Sequence, residues 1–300
     1  VTHLALNRFR ILAAGHFCRR LDEEAHKDLR ALFKDEGFAP IRRGNRFIHL
    51  AVLAAERCRR NANAPIPKQT ASYLATAHGC FADTVQLLED QLHHQLPVTP
   101  FRFVNVLSNI AGFHVADRLA LEGENIAISR EYSAYDAALE AASLGLALGS
   151  CPMALVGSVD EADETLSLHR HRTATPATRI PGEGSAWLLL SADDGGPDDH
   201  NNGPRLIHQG DFKDCASLNK ALADCQPDHL AAGPHGFAEH RQLAETFPGY
   251  SLWDYHQAQG WIWSNPAMAF AQHVASGQGR LAHVDRMAAD GPWRLWILEP

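Results

Sequence analysis

Residues 123–164 constrain this chain more than any other stretch. Ile126 to Ile128 is a short apolar run of strand type, and Arg130, Glu131 and Tyr132 break it. Beyond the break, Ala134, Ala137, Ala138, Ala141, Leu144 and Leu148 recur at i, i+3, i+4 and i+7 spacings, which predicts a helix with that face buried. The many alanines favour helix and allow close packing. Gly149 stands where such a helix should stop. Met153 to Val156 then reads as a buried parallel strand, with Gly157 behind it. Strand, tight elbow, helix and strand together make a βαβ crossover.

An elbow that opens a helix suits an anion, because free N–H groups and the helix dipole converge there. A cysteine at such a place would be activated as a nucleophile. This elbow carries Tyr132 instead. Its ring would fill the space a substrate needs, so the first reading of Tyr132 is a space-filling residue. The second reading gives the chemistry to Ser133 or Ser129, which flank it. A serine needs an adjacent base, and the neighbouring sequence supplies none.

At 300 residues the chain can hold one large domain or two smaller ones. Ser191 to Pro204 is a linker by composition and divides it into 1–190, 191–204 and 205–300. Arg205 to His208 starts a strand, Leu218 to Ala223 follows a helical pattern, and Asp228 to Ala232 reads as a strand leading to His235. Alternating strands and helices on both sides of the linker predict an α/β architecture. No internal repeat is visible in the sequence.

A net charge of −8 argues against general nucleic-acid binding. No apolar run approaches the roughly 20 residues of a membrane span. Arg8 and Arg10 sit inside the first apolar patch, with no signal-peptide pattern. Cys18, Cys58, Cys80, Cys151, Cys215 and Cys225 are scattered without a C-x-x-C pair, which predicts reduced thiols in a cytoplasmic protein. His93-His94 and His169-Arg-His171 are the closest histidine groupings, and neither has metal-ligand spacing, so no metal or cofactor is called for. Arg42, Arg43 and Arg46, with Arg57, Arg59 and Arg60, are basic clusters on an acidic chain. They read either as a docking patch for an acidic protein or as solvated helix face. Gly182-Glu183-Gly184 lacks the lysine of a phosphate loop and reads as a tight turn before Trp187 to Leu190.

The elbow unit resembles that of the β-ketoacyl-acyl carrier protein synthases of the thiolase fold. Other pieces follow in that family's order. Arg42 to Ala55 is similar to an early buried helix, and Ala71 to Cys80 to the strand and glycine loop beside the acyl pocket. Pro100 to Ala116 resembles the helix before the elbow strand, and Gly182 to Leu190 the turn and strand closing the first half. The resemblance implies a thiolase-like α/β fold: two related halves in a layered αβαβα arrangement, the second shortened. It places Tyr132 at the nucleophile position. His78, with Gly79 and Cys80, falls where the family gates the acyl pocket.

The second half departs from the family. Ala231 to Gly236 resembles the segment carrying the first catalytic histidine, at His235. Tyr255 to Ala269 resembles the lysine–histidine segment, with His256 at the lysine position and Trp261 at the second histidine. An indole N–H can donate one hydrogen bond but carries no charge for the oxyanion-type work of those histidines. The resemblance therefore implies a non-catalytic member like the chain-length factors of type II polyketide systems or the subunits of aryl polyene systems. Its implied partners are an active ketosynthase, in a heterodimer, and an acyl carrier protein. A serine acyltransferase or thioester hydrolase, using Ser133 or Ser129 with His235, is the alternative; a pathway scaffold is another.

Overall fold

Nine strands pair into one sheet in the computed structural model, which describes residues 8–22, 28–162, 175–193, 203–235, 240–263, 266–288 and 290–300. They are β1 (Arg8–Arg20), β2 (Ala71–Thr76), β3 (Asn125–Ser129), β4 (Ala154–Asp160), β5 (Gly182–Ala192), β6 (Arg205–Phe212), β7 (His229–Ala232), β8 (Leu281–Arg286) and β9 (Trp293–Glu299). The order is β3-β2-β4-β5-β1-β6-β9-β8-β7.

That order contains a duplication the sequence hides. Outward from the centre, the first half runs β1, β5, β4, β2, β3, with two antiparallel pairings followed by two parallel ones. The second half runs β6, β9, β8, β7, with two antiparallel pairings followed by one parallel. The halves join through a short antiparallel pairing of β1 with β6 at Arg8–Arg10. Among the described residues, the second half thus repeats the first and stops one strand short. Where the fifth strand would lie, Leu252 makes a single parallel bridge to Leu230. Leu230 N donates to Ser251 O at 2.8 Å, and Trp253 N to Leu230 O at 2.9 Å.

Strand alternation sorts side chains into layers. Tyr73, Val156 and Leu188 point inward, with Leu281, Trp296 and Leu298 of the second half. They meet the helices Ala134–Ala147 and Pro266–Ser276, which form the central layer. Leu74, Leu155 and Trp187 point the other way, onto the helix Arg46–Asn61. Leu230, Val284 and Leu295 face the helix Cys215–Cys225. The two halves of the one sheet thus supply both sheet layers, giving helix, sheet, helix, sheet, helix: the thiolase-like layering, with a shortened second half.

The predicted crossover is present, since β3 and β4 both pair parallel with β2. The buried face of its helix differs from the spacing argument. Tyr135, Ala138, Leu139, Ala142 and Leu146 are buried, whereas Leu144 is 45% and Leu148 67% exposed. Apolar residues occupy two stripes of this helix, and only one faces the sheet. Gly149 ends the helix at φ +67°. Of the linker, residues 194–202 lie outside the described residues.

Candidate functional site

At the C-terminal end of β3, Arg130 N donates to Thr76 O at 3.1 Å and closes the strand. The chain then turns through Ser133, which adopts left-handed φ 53°, ψ 32°, before the helix starts at Ala134. Left-handed backbone is uncommon for a non-glycine residue and gathers at functional turns. Ser133 is buried, and its Oγ donates to Arg286 O of the second half at 3.1 Å. The hydroxyl proton is committed to a carbonyl, which is no base. Ser129 is exposed at the end of β3.

Tyr132 is half-buried, and its ring packs at 4.4 Å from His235 and 5.9 Å from Trp263. His235 and Trp263 lie 4.7 Å apart at 72°. His235 follows β7, where Asp285 Oδ1 accepts its backbone N–H at 3.0 Å. Gly233 has no room for a side chain, because a Cβ there would lie 1.9 Å from Asp285 Oδ2. Burial, and secondarily the His78 charge, push the His235 imidazole down to about 4, while its hydrogen bond to the Trp263 backbone acts the other way. His235 is therefore neutral at neutral pH and offers no positive charge to an oxyanion.

His78 follows β2 and turns its ring onto Trp263 at 5.5 Å. Gly79 takes φ +66°, and its N–H donates to Thr76 Oγ1 at 2.9 Å. Cys80 is buried, and its Sγ accepts from Asn45 Nδ2 at 3.0 Å. Burial, with Glu161 and Asp83 beside it, pushes the Cys80 thiol well up, so it is not a reactive thiolate.

The other two positions meet each other. His256 stacks on Trp261 at 4.8 Å and on Tyr255 at 4.2 Å, and its Nε2 lies 3.1 Å from Ala232 O. Burial pushes His256 down to about 4. Trp261 is fixed by Ile180 and Gly182: its N donates to Ile180 O at 2.7 Å and its O accepts from Gly182 N at 3.0 Å. Facing Tyr132 is therefore Trp263, two residues further on. The Trp-Ile-Trp pattern was the signal that could have drawn attention to it.

Among the described residues, no three or more His, Cys, Asp or Glu gather as metal ligands. His169 and His171 lie outside the described residues. No described helix is long and apolar enough to cross a membrane. The arginine clusters divide. Arg46 is held by Glu183, Arg57 and Arg60 by Glu36, and Arg59 by Glu56, which leaves Arg42 and Arg43 exposed on the loop before the helix.

The profile of the family described as β-ketoacyl synthase, N-terminal domain, matches residues 24–190. No curated protein matches in sequence. Among solved structures, the ishigamide ketosynthase/chain length factor is similar, with a TM-score of 0.68 and 17% identity, covering 97% of this chain and 99% of that one. A β-ketoacyl synthase from Burkholderia phymatum STM815 gives 0.68 at 14% identity, covering 98% and 99%. A type II polyketide ketosynthase bound to the hexaketide, in complex with its acyl-carrier protein, gives 0.66 at 13%, covering 98% and 99%.

Proposed function

In a chain that belongs to the β-ketoacyl synthase family, we propose that the elbow has been retired from catalysis. The protein acts as a chain-length-factor-like subunit that pairs with an active β-ketoacyl-acyl carrier protein synthase. It stabilises that partner and shapes the acyl tunnel at their shared face. The carrying observation is Tyr132 at the head of the helix Ala134–Ala147, packed on a neutral His235 where a nucleophile would need open space. A second observation supports the pairing. β3 is the outermost strand of its half among the described residues, and an unpaired outer edge there is a template for another chain. Phe113 and Leu148 are exposed on and just after the two helices that pack on β3, and Leu92, Phe101 and Phe103 are exposed elsewhere in the same half, apolar surface of the kind that marks a protein interface.

Native mass after co-expression with an active ketosynthase tests this. A one-to-one heterodimer is expected. A monomer or homodimer that ignores the ketosynthase would remove the proposal. The serine-enzyme alternative finds no support in Ser133, whose hydroxyl is spent on Arg286 O. An acyl adduct lost in Ser133→Ala would revive it.

A further inference from the structure

We propose that Trp263, contributed by the second half, seals the first-half elbow, so that position 132 stays shut even when its own side chain is small. The inference rests on reading Tyr132 as a vestigial nucleophile position. It adds that the silence is written twice, in two halves of the chain.

Trp263 is the hub of the cluster. Its ring lies 5.9 Å from Tyr132, 4.7 Å from His235 and 5.5 Å from His78. Its backbone takes the ring hydrogen bond of His235. His235 is in turn anchored through its own N–H to Asp285. Trp263 is held from the other side as well, because Trp261 is tied to Ile180 and Gly182 two residues earlier. Packed interiors relax only partly when one side chain is cut back. A thiol at position 132 would therefore sit beneath an indole and an imidazole that both keep their backbone anchors. Removing the thiol from a ketosynthase elbow abolishes chemistry; placing Trp263 above it removes access.

Thiol accessibility in the complete chain tests this, read peptide by peptide with iodoacetamide so that the six native cysteines serve as references. In Tyr132→Cys, the introduced thiol is expected to react at least tenfold more slowly than in Tyr132→Cys/Trp263→Gly. Tyr132→Cys/Trp263→Leu should fall between them. Tyr132→Cys/Trp261→Phe should match the single variant, because it keeps the backbone bonds of that position to Ile180 and Gly182 and a ring over His256. Equal rates in the single variant and both Trp263 variants overturn the proposal. If Trp263→Gly melts without cooperativity, the Trp263→Leu comparison decides alone. Native mass on the same variants scores ketosynthase pairing separately: shielding without pairing sinks the proposed function and keeps this inference, and pairing without shielding does the reverse.

Discussion

The two halves share one strand order and treat their edges in opposite ways. The first half ends in β3, bordered by exposed apolar side chains, and keeps a strained elbow behind it. The second half ends in β7, covers that strand with Leu252, and buries neutral histidines, His256 on the short helix His256–Gln259 and His283 on β8. A free sheet edge is a liability unless something pairs with it. The half that keeps the elbow has kept the liability, and the half that has lost a strand has closed on itself. Under the proposed pairing, the difference assigns the partner-binding face to the first half and leaves the second self-contained.

The largest expected effect sharpens this at the charged clamps. Glu183 is fully buried and accepts from Arg19 Nε at 2.8 Å and Arg46 Nε at 2.6 Å. Burial alone would raise its carboxyl; the two arginines outweigh burial and hold it below the usual range. Glu183→Ala removes the buried carboxylate that both arginines pair with and should cost about 3–5 kcal/mol in urea unfolding. Asp211 of the second half pairs with Arg294 at 2.7 Å but is 35% exposed, and Arg294 keeps Glu140 at 2.5 Å. Asp211→Asn should cost about 1 kcal/mol. Equal costs would break the contrast.

Next comes the apolar surface. Phe103 is 56% and Phe113 59% exposed. Truncating a central aromatic at an interface typically costs about 2 kcal/mol or more. Phe103→Asp/Phe113→Asp should therefore weaken ketosynthase pairing by roughly a hundredfold or more, with the melting temperature of the isolated chain unchanged. Wild-type affinity in the double variant would move the interface off this half.

The buried histidines give a smaller, pH-dependent effect. Burial pushes His256 down to about 4 and His283 down to about 3. Unfolded histidines titrate near ~6.5. Between these values the unfolded chain binds more protons, so stability falls as pH drops from ~6.5 toward the folded values. At pH 5, His283 alone should forfeit about 2 kcal/mol relative to neutral pH. His283→Gln, which keeps an amide near the Tyr255 hydroxyl that His283 meets at 3.0 Å and cannot titrate, should reduce the loss of unfolding free energy between pH 7.5 and pH 5 by that amount. An unchanged slope would count against neutral burial in the second half.

The elbow was legible because its signals are local: a strand, a break, a 3.6-residue period and a terminating glycine. The buried face of its helix was not, because both stripes are apolar and only tertiary packing tells Leu139 from Leu144. The duplication was invisible for a related reason. It lies in strand order and pairing sense, which dissimilar sequences share freely. His78, Tyr132 and His235 were read from sequence positions, and the fold brings all three to one indole. That indole was missed because Gly260, at φ +84°, and the bridge of Trp261 to Pro181 make the segment irregular. Spacing counts residues, and in such a segment the count does not fix where a ring points.

The smallest effect concerns the carrier protein. Four of the six clustered arginines are engaged by Glu183, Glu36 and Glu56, so their charge is largely spent within the fold. Arg42 and Arg43 remain exposed, and Arg43 lies 5.6 Å over the exposed Phe101 ring. A docking surface for an acidic carrier protein would therefore rest on two cations beside the apolar face of the first half. Rim charges act mainly on encounter rate and are screened by salt. Arg42→Ala/Arg43→Ala should slow carrier association with the heterodimer about threefold to tenfold at low salt, with little change at high salt. Arg59→Ala, whose charge already faces Glu56 at 2.8 Å, should change it little. If Arg59→Ala slows association as much as the double change does, carrier recognition does not read the loop before the helix, and the first half would be left with the ketosynthase alone.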